Sequence, residues 1–337
     1  MAAHKSITMS DIANRLNIST VSVSKALKNK EGISDALREK ILDTAEEMGY
    51  RYHLPKKELS VPDGKNIGIL VSERYLQSKQ AFYWEICHQI NKVLNVNNYF
   101  GIIETISTGV ETELEIPQVI GTNKVDGIIV LGQISPAYLT LLSDSALPIV
   151  YTDFYLDDME YDTITTDNFY SAYLITNYLI KNGHQQIGFL GDIHATSSIL
   201  DRYLGYSKAL VEHRLPMRQE WLLNDRSSEG ILAAPQLPSQ LPTAFVCNCD
   251  QAAYLLCEKL KSESFKVPEE VSLVGFDNNV FAEICAPKLT TVAVDIRSLA
   301  SSTVSSLITK ISKNNISVRR KVIPGKLVIR DSVRAIV

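Results

Sequence analysis

This chain of 337 residues lacks the marks of secretion, membrane insertion and covalent catalysis. Its five cysteines are Cys87, Cys247, Cys249, Cys257 and Cys285. An odd count, with no apolar secretory stretch at the N-terminus, favours free thiols over a disulfide framework. Cys247-x-Cys249 has no second Cys/His pair nearby and follows the apolar run Ala244-Phe245-Val246, so no metal is expected. No run of about eighteen apolar residues is present, so no membrane span is expected and the chain should stay in the cytoplasm. The first candidate strand runs into Gly68-Ile69-Leu70-Val71-Ser72-Glu73 rather than G-x-G-x-x-G. Walker-A and nucleophile-elbow motifs are also missing. These gaps argue against a nucleotide-dependent or hydrolytic enzyme, and no cofactor is expected.

What is present is ordinary in bulk and uneven in distribution. Apolar residues make up 45% and charged residues 21%, the composition of a soluble globular protein of two or three folding units. The net charge is −4. Residues 1–57 hold ten Lys/Arg against seven Asp/Glu, while the other 280 hold 24 against 31. A basic head on an acidic body fits a localised nucleic-acid contact.

Residues 8–28 read as two short helices with a tight turn. Thr8 with Asp11 fits a capping box, so a helix can start at Met9. Ile12, Ala13 and Leu16 form its inward stripe. Asn17-Ile18-Ser19 makes the turn, and Ser19 can cap the second helix. On that helix Val23, Ala26 and Leu27 fall inward, leaving Val21, Ser24, Lys25 and Lys28 on a short, polar, basic outer face. A helix laid in a DNA major groove needs such a face. The pattern also suits a generic pair of amphipathic helices. Ser34 can cap a third helix, Asp35 to Met48, closed by Gly49.

The run resembles the headpiece of the lactose-repressor/galactose-repressor (LacI/GalR) family of bacterial transcription regulators. The family pattern T-x-x-D-[IV]-A appears as Thr8 to Ala13. Its V-S-x-x-T-V-S-[RK]-x-L appears as Ile18 to Leu27 with Ser22 in the Thr place. Its later elements appear as Ile33 to Arg38 and Gly49-Tyr50. The resemblance implies DNA contacts from Thr8, Thr20, Val21, Ser22, Ser24, Lys25 and Lys28.

Beyond a polar linker with two prolines (53–65), apolar strands alternate with amphipathic helices, the signature of parallel sheets covered on both faces. Expected strands are 67–71, 100–104, 127–131, 148–152, 187–190, 244–247 and 271–274. Expected helices include 82–96, 168–181, 198–212, 250–261 and 296–311. Further motifs resemble the family's core in the right order: Val125-Asp126-Gly127-Ile128-Ile129, Asp167-Asn168, Gly183 to Phe189, Arg202 to Tyr206, Val271 to Asp277, Pro287 to Val292 and Leu327 to Ser332. The implied fold is an all-α helix-turn-helix headpiece (1–52), a hinge (53–65) and an α/β core (66–337). The core consists of two doubly wound parallel-sheet subdomains, as in periplasmic binding proteins. The expected division is 66–161 plus 292–322, and 162–291 plus 323–337.

The resemblance further implies a homodimeric repressor that binds a double-stranded DNA operator and a small sugar-like effector between the subdomains. Phe82, Asp153, Arg202, Arg226, Asp250 and Asp277 are the expected effector residues. Arg202 matches a family arginine whose fixed donors suit hydroxyls or a carboxylate. Each has a plainer alternative: Phe82 in the core, Arg202 on a helix surface, Asp277 as a helix cap. Three departures from the family pattern stand out. Cys249-Asp250 replaces Asn-Asp. Arg226 stands where some members stack an aromatic on sugar, so the effector is either anionic or indifferent to a solvent-facing arginine. In the hinge, Pro55, Lys56 and Lys57 disturb a stretch that becomes a minor-groove helix, while Leu59 keeps the leucine position. Lys56, Lys57 and Leu59 are thus expected DNA contacts, with the lysines on phosphates. A regulator answering to a partner protein, and an import-type solute-binding protein, are the alternative readings.

Overall fold

The computed structural model describes residues 8–27, 32–48, 65–76, 81–156, 161–227, 230–313 and 320–336. The chain divides into two compact units, Met1–Gly64 and Lys65–Val337.

In the first unit the described residues form three helices, α1 (Met9–Leu16), α2 (Thr20–Leu27) and α3 (Asp35–Glu47). The Asp11 carboxylate accepts from both the backbone N–H and the hydroxyl of Thr8, each at 2.7 Å, which fixes the start of α1. Asn17 ends the helix in the left-handed region (φ 53°), a conformation asparagine tolerates better than most residues. Ser19 then caps α2 by accepting the Ser22 N–H at 3.2 Å. Ile12, Ala13, Val23, Ala26, Ile41 and Ala45 make the shared core.

The second unit holds two six-stranded sheets. The first is built from β1 (Lys65–Ser72), helix α4 (Ala81–Val96), β2 (Tyr99–Ile106), the short helices α5 (Thr108–Glu113) and α6 (Gln118–Gly121), β3 (Gly127–Leu131), α7 (Pro136–Ser143), β4 (Ile149–Thr152) and β5 (Asp162–Thr166). The chain then crosses to the second sheet. There it makes α8 (Asn168–Lys181), β6 (Ile187–Leu190), α9 (Ser197–Glu212), β7 (Leu222–Leu223), β8 (Ala244–Cys247), α10 (Asp250–Ser262), β9 (Ser272–Asp277), α11 (Val280–Ile284) and β10 (Thr290–Ala293). Helix α12 (Ile296–Lys313) and strand β11 (Arg320–Ile323) return to the first sheet, and β12 (Lys326–Val328) closes the second.

The strand orders are β11-β5-β4-β3-β1-β2 and β12-β10-β9-β8-β6-β7. These are the same doubly wound order twice, parallel throughout except for antiparallel β12. Alternation along the strands feeds two cores per sheet. Ile67, Ile69 and Val71 of β1 face α4 and α12, and Leu70 faces the other side with Tyr138 and Leu142 of α7. Phe245 and Cys247 of β8 face α10, and Val246 lies with Phe189 and Tyr206.

Two expected boundaries need correction. Residues 162–166 belong to the first sheet, paired with β4 and β11, so the first crossing follows Thr166 and not residue 161. Residues 290–293 pair with β9, so the return crossing comes after Ala293 and not before 292. Strand β5 reads Asp-Thr-Ile-Thr-Thr and offers no apolar run to mark it. Its threonines are buried by the flanking helices and suit a pleated strand through branching at Cβ rather than hydrophobicity.

Helices α8 and α9 approach closely at Gly205. A Cβ placed there would lie 2.0 Å from the Phe169 carbonyl oxygen, so backbone meets backbone. Gly205→Ala must therefore push α9 away from α8. We expect a loss of about 1–3 kcal/mol of stability by urea denaturation, with an unchanged slope. A variant as stable as the parent would contradict the close approach.

Candidate functional site

The first candidate surface is the outer face of α2. Val21 is 62% exposed on it, and Thr20 is exposed beside it. Ser24 and Lys25 are half-buried, with the Lys25 side chain lying over Gly32. The Ser22 hydroxyl lies 3.0 Å from that of Ser19, within the cap, and Thr8 is committed to Asp11. Lys28, Lys56, Lys57 and Leu59, like Gly49-Tyr50 and the linker before Lys65, lie outside the described residues.

The second surface is the cleft between the sheets of the larger unit, at the carboxyl ends of their strands, where this fold places ligands. Tyr75, Phe82, Tyr83 and Asp153 line it from one side. Ser198, Arg202, Arg226, Asn248, Gln251, Asp277 and Asn279 line it from the other. Arg202 is the centre. It is 6% exposed, donates from Nε to the Asn168 side chain at 2.8 Å and from a terminal nitrogen to the Asn248 carbonyl. Its guanidinium lies 3.8 Å over the Phe276 ring. The other terminal nitrogen stands 3.9 Å from an Asp277 oxygen, an ion pair rather than a hydrogen bond.

Asp153 and Asp277 end corresponding strands of the two sheets, β4 and β9. Both are left-handed, with φ of 71° and 101°. Non-glycine residues hold such angles only where the surroundings impose them, and this happens mostly at functional sites. One Asp153 oxygen accepts the Tyr83 hydroxyl at 2.9 Å, and the other is buried with no hydrogen-bond partner among the described residues. Burial raises the pKa of Asp153, against the pull of Arg202 and the Tyr83 bond. Burial likewise pushes Asp277 well up, again opposed by Arg202. Gln251 Oε1 and Arg226 Nε are also buried without hydrogen-bond partners among the described residues. Arg226 faces the cleft. Its charge is set against Asp225 at 3.7 Å, and it donates to the Gly230 carbonyl at 3.1 Å.

Gln133 and Tyr155 bridge the cleft, the latter also through its N–H, which donates to the Ser197 hydroxyl at 3.4 Å. Gln133, beyond β3, accepts the Ser197 N–H at the start of α9 at 2.8 Å. Tyr155, beyond β4, donates to Asp201 of α9 at 2.6 Å, and Arg320 lies 3.9 Å over its ring.

One expected effector residue is elsewhere. Asp250 is fully buried beneath the cleft, where it accepts the Thr291 hydroxyl at 2.6 Å and the Asn279 N–H at 3.0 Å. It is the first residue of α10 and points down at the sheet, against Gly275, where a Cβ would lie 2.1 Å from its oxygen. Burial raises its carboxyl to about 7, and its two oxygens are committed to the Asn279 N–H and the Thr291 hydroxyl. Its neighbours Cys249 and Gln251 line the cleft instead.

Comparison with known proteins accords with both surfaces. The pattern of bacterial regulatory proteins of the lacI family matches residues 8–52, and that of the periplasmic binding protein-like domain matches residues 176–333. The chain thus joins a lacI-family DNA-binding headpiece to a periplasmic binding protein-like domain. It is similar to the HTH-type transcriptional repressor PurR of Vibrio parahaemolyticus, 27% identical over 97% of this chain and 98% of that protein. It is also similar to the ribose operon repressor of Haemophilus influenzae, 26% identical over 97% of this chain and 98% of that one. The lac repressor dimer, solved with its operator and the anti-inducer ONPF, has the same fold. It shows a TM-score of 0.68 at 19% identity, covering 98% of this chain and all of that one. This chain is a DNA-binding transcription regulator and not an enzyme. Among the described residues, no helix is long and apolar enough to cross a membrane.

The structure thus brings Phe82, Asp153, Arg202, Arg226 and Asp277 to one cleft, and sets Asp250 behind it. Sequence reasoning missed Tyr83, Asn248, Gln251 and Asn279, although each stands within two residues of a position it singled out. The cleft's polarity makes a pH-dependent prediction. Tyr83→Phe removes the hydroxyl that holds Asp153, whose pKa then rises further in the folded state. The penalty falls on the ionised carboxylate, so the variant should match the parent at low pH and lose about 1–3 kcal/mol as pH rises. Urea denaturation across pH checks this, and a gap that narrows with rising pH would contradict it.

Proposed function

We propose that this regulator is a homodimeric repressor whose core cleft binds a small, neutral, polyol-like effector, and whose α2 faces read the two halves of an operator. The observation that carries the effector reading is Arg202. A guanidinium so deeply buried is engaged by Asn168, Asn248, Phe276 and Asp277, and its charge acts on both strand-end carboxylates that face the cleft. The unpartnered oxygens of Asp153 and Gln251 call for ligand hydroxyls as donors, and Arg226 Nε calls for an acceptor.

The charges favour a neutral ligand over an anion. Arg226 is already set against Asp225, and Arg202 against Asp277, so neither offers an unpaired positive charge to a phosphate or carboxylate, and a neutral oxygen meets the open Arg226 Nε. A ribose operon repressor among the relatives supports a sugar-sized effector. A lac repressor dimer on its operator supports the dimer, since one headpiece makes too few base contacts for a unique site.

On this reading Lys25, Val21 and Ser24 meet base edges. Lys25→Ala should weaken operator binding about tenfold to a hundredfold and blur sequence preference. Fluorescence anisotropy with selected and scrambled duplexes measures both. Equal affinity and equal selectivity would remove Lys25 from base reading. Arg202→Met should abolish the effector's influence on DNA binding. A variant that still responds to the wild-type effector would refute the cleft assignment.

A further inference from the structure

The closing motif Leu327 to Ser332 has no part in either surface described so far, yet its arginine reaches the cleft wall. Arg330 follows β12, and its side chain is 15% exposed. Its backbone N–H donates to the Thr290 hydroxyl at 2.9 Å, which in turn donates to the Arg330 carbonyl at 3.2 Å. From this fixed point the guanidinium reaches three elements. One terminal nitrogen donates to the carbonyl of Leu289, just before β10, at 2.9 Å. The other donates to the side-chain oxygen of Asn278, just after β9, at 2.7 Å and to Glu283 of α11 at 2.5 Å. A planar fork can hold three such acceptors in one geometry, and a lysine ammonium, a single point, cannot span them.

Asn278 stands between Asp277 and Asn279, which both line the cleft. Asp277 and Asn278 are both left-handed, with φ of 101° and 56°. Two such residues in succession, neither of them glycine, persist only where their surroundings impose the conformation. The turn has an anchor on each side. Asp250 of α10 accepts the Asn279 N–H at 3.0 Å, and Arg330 of the tail holds the Asn278 side chain.

We infer that Arg330 is a positioning residue for the effector cleft, a role that rests on the cleft being the effector site: it locks the turn 277–279 and so keeps Asp277 aimed at Arg202. Other groups hold the elements around it. Ser332 ties the tail to the sheet, donating to the Leu273 carbonyl at 2.5 Å and accepting the Thr290 N–H at 2.8 Å. Glu283 keeps Lys288 as a second partner at 2.8 Å. Changing Arg330 therefore frees the turn and leaves the tail and α11 in place.

The test is amide hydrogen exchange, read by mass spectrometry, on the full-length protein without ligand. Arg330→Lys should speed exchange in a peptide covering 276–281 by roughly threefold to tenfold, with α8, α9 and the tail 326–336 exchanging as in the parent. In an Asn278→Gly background the acceptor is gone, and glycine takes a left-handed φ at no steric cost. Arg330→Lys should then add nothing at 276–281, a coupling that a merely structural contact would not show. Parent-like exchange at 276–281 in Arg330→Lys, an equal rise across α8, α9 and the tail, or a comparable rise in the Asn278→Gly background would each overturn the role. The exchange is read without effector, so its failure leaves the effector reading to its own test, the response of Arg202→Met.

Discussion

The burial of one guanidinium organises the larger unit. Arg202 comes from α9, and its partners come from α8, the end of β8 and the end of β9. A charge this buried is tolerable only when its donors are satisfied, and losing a partner of a buried pair costs about 3–5 kcal/mol. The demand runs in both directions. Asp277 and Asp153 have raised pKa values because they are buried, and both would be raised further without Arg202. The backbone at both of these aspartates is left-handed. The cluster therefore keeps strain and charge together at the point where a ligand can relieve both.

The repeated topology explains how two carboxylates come to face one arginine. Each sheet carries the same strand order, so β4 and β9 occupy equivalent places and end at the same cleft. Each ends in an aspartate with positive φ. The bridges Gln133–Ser197 and Tyr155–Asp201 then hold the two halves together beside them. A ligand that adds donors for Asp153 and Gln251 strengthens the closed arrangement by its contacts, and only by the difference it makes between closed and open.

Much of this was legible in the residues, for physical reasons. The headpiece shows itself through Thr8-Asp11 and Ser19 at helix starts and through an apolar stripe of period 3.6. Helix α8 begins at Asn168 and ends at Lys181, where the apolar spacing predicts it. Strand β5 is not legible, because Asp-Thr-Ile-Thr-Thr gains its burial from neighbours rather than from its own hydrophobicity. Asp250 shows the limit for sites. Its type and place beside the cleft are right, yet as the first residue of α10 it turns down onto Gly275 while Gln251 turns up. Which way a helix's first turn points is set by the sheet beneath it, and local sequence does not carry that. Tyr83 is invisible for a related reason, since its partner Asp153 lies across the fold.

The central claim is that the arrangement of the cleft sets the affinity of the headpiece for DNA. The most direct measurement needs no knowledge of the effector. Gln133→Ala with Tyr155→Phe removes the bridges made by the Gln133 side chain and the Tyr155 hydroxyl, and leaves Arg202 and residues 8–52 untouched. Each bridge contributes about 0.5–1.5 kcal/mol, so the closed population should fall by roughly tenfold. The account predicts that the affinity of the double variant for a selected operator, measured by fluorescence anisotropy, differs severalfold from the parent's. An operator Kd identical to the parent's, in a variant shown by denaturation to be folded, would contradict it.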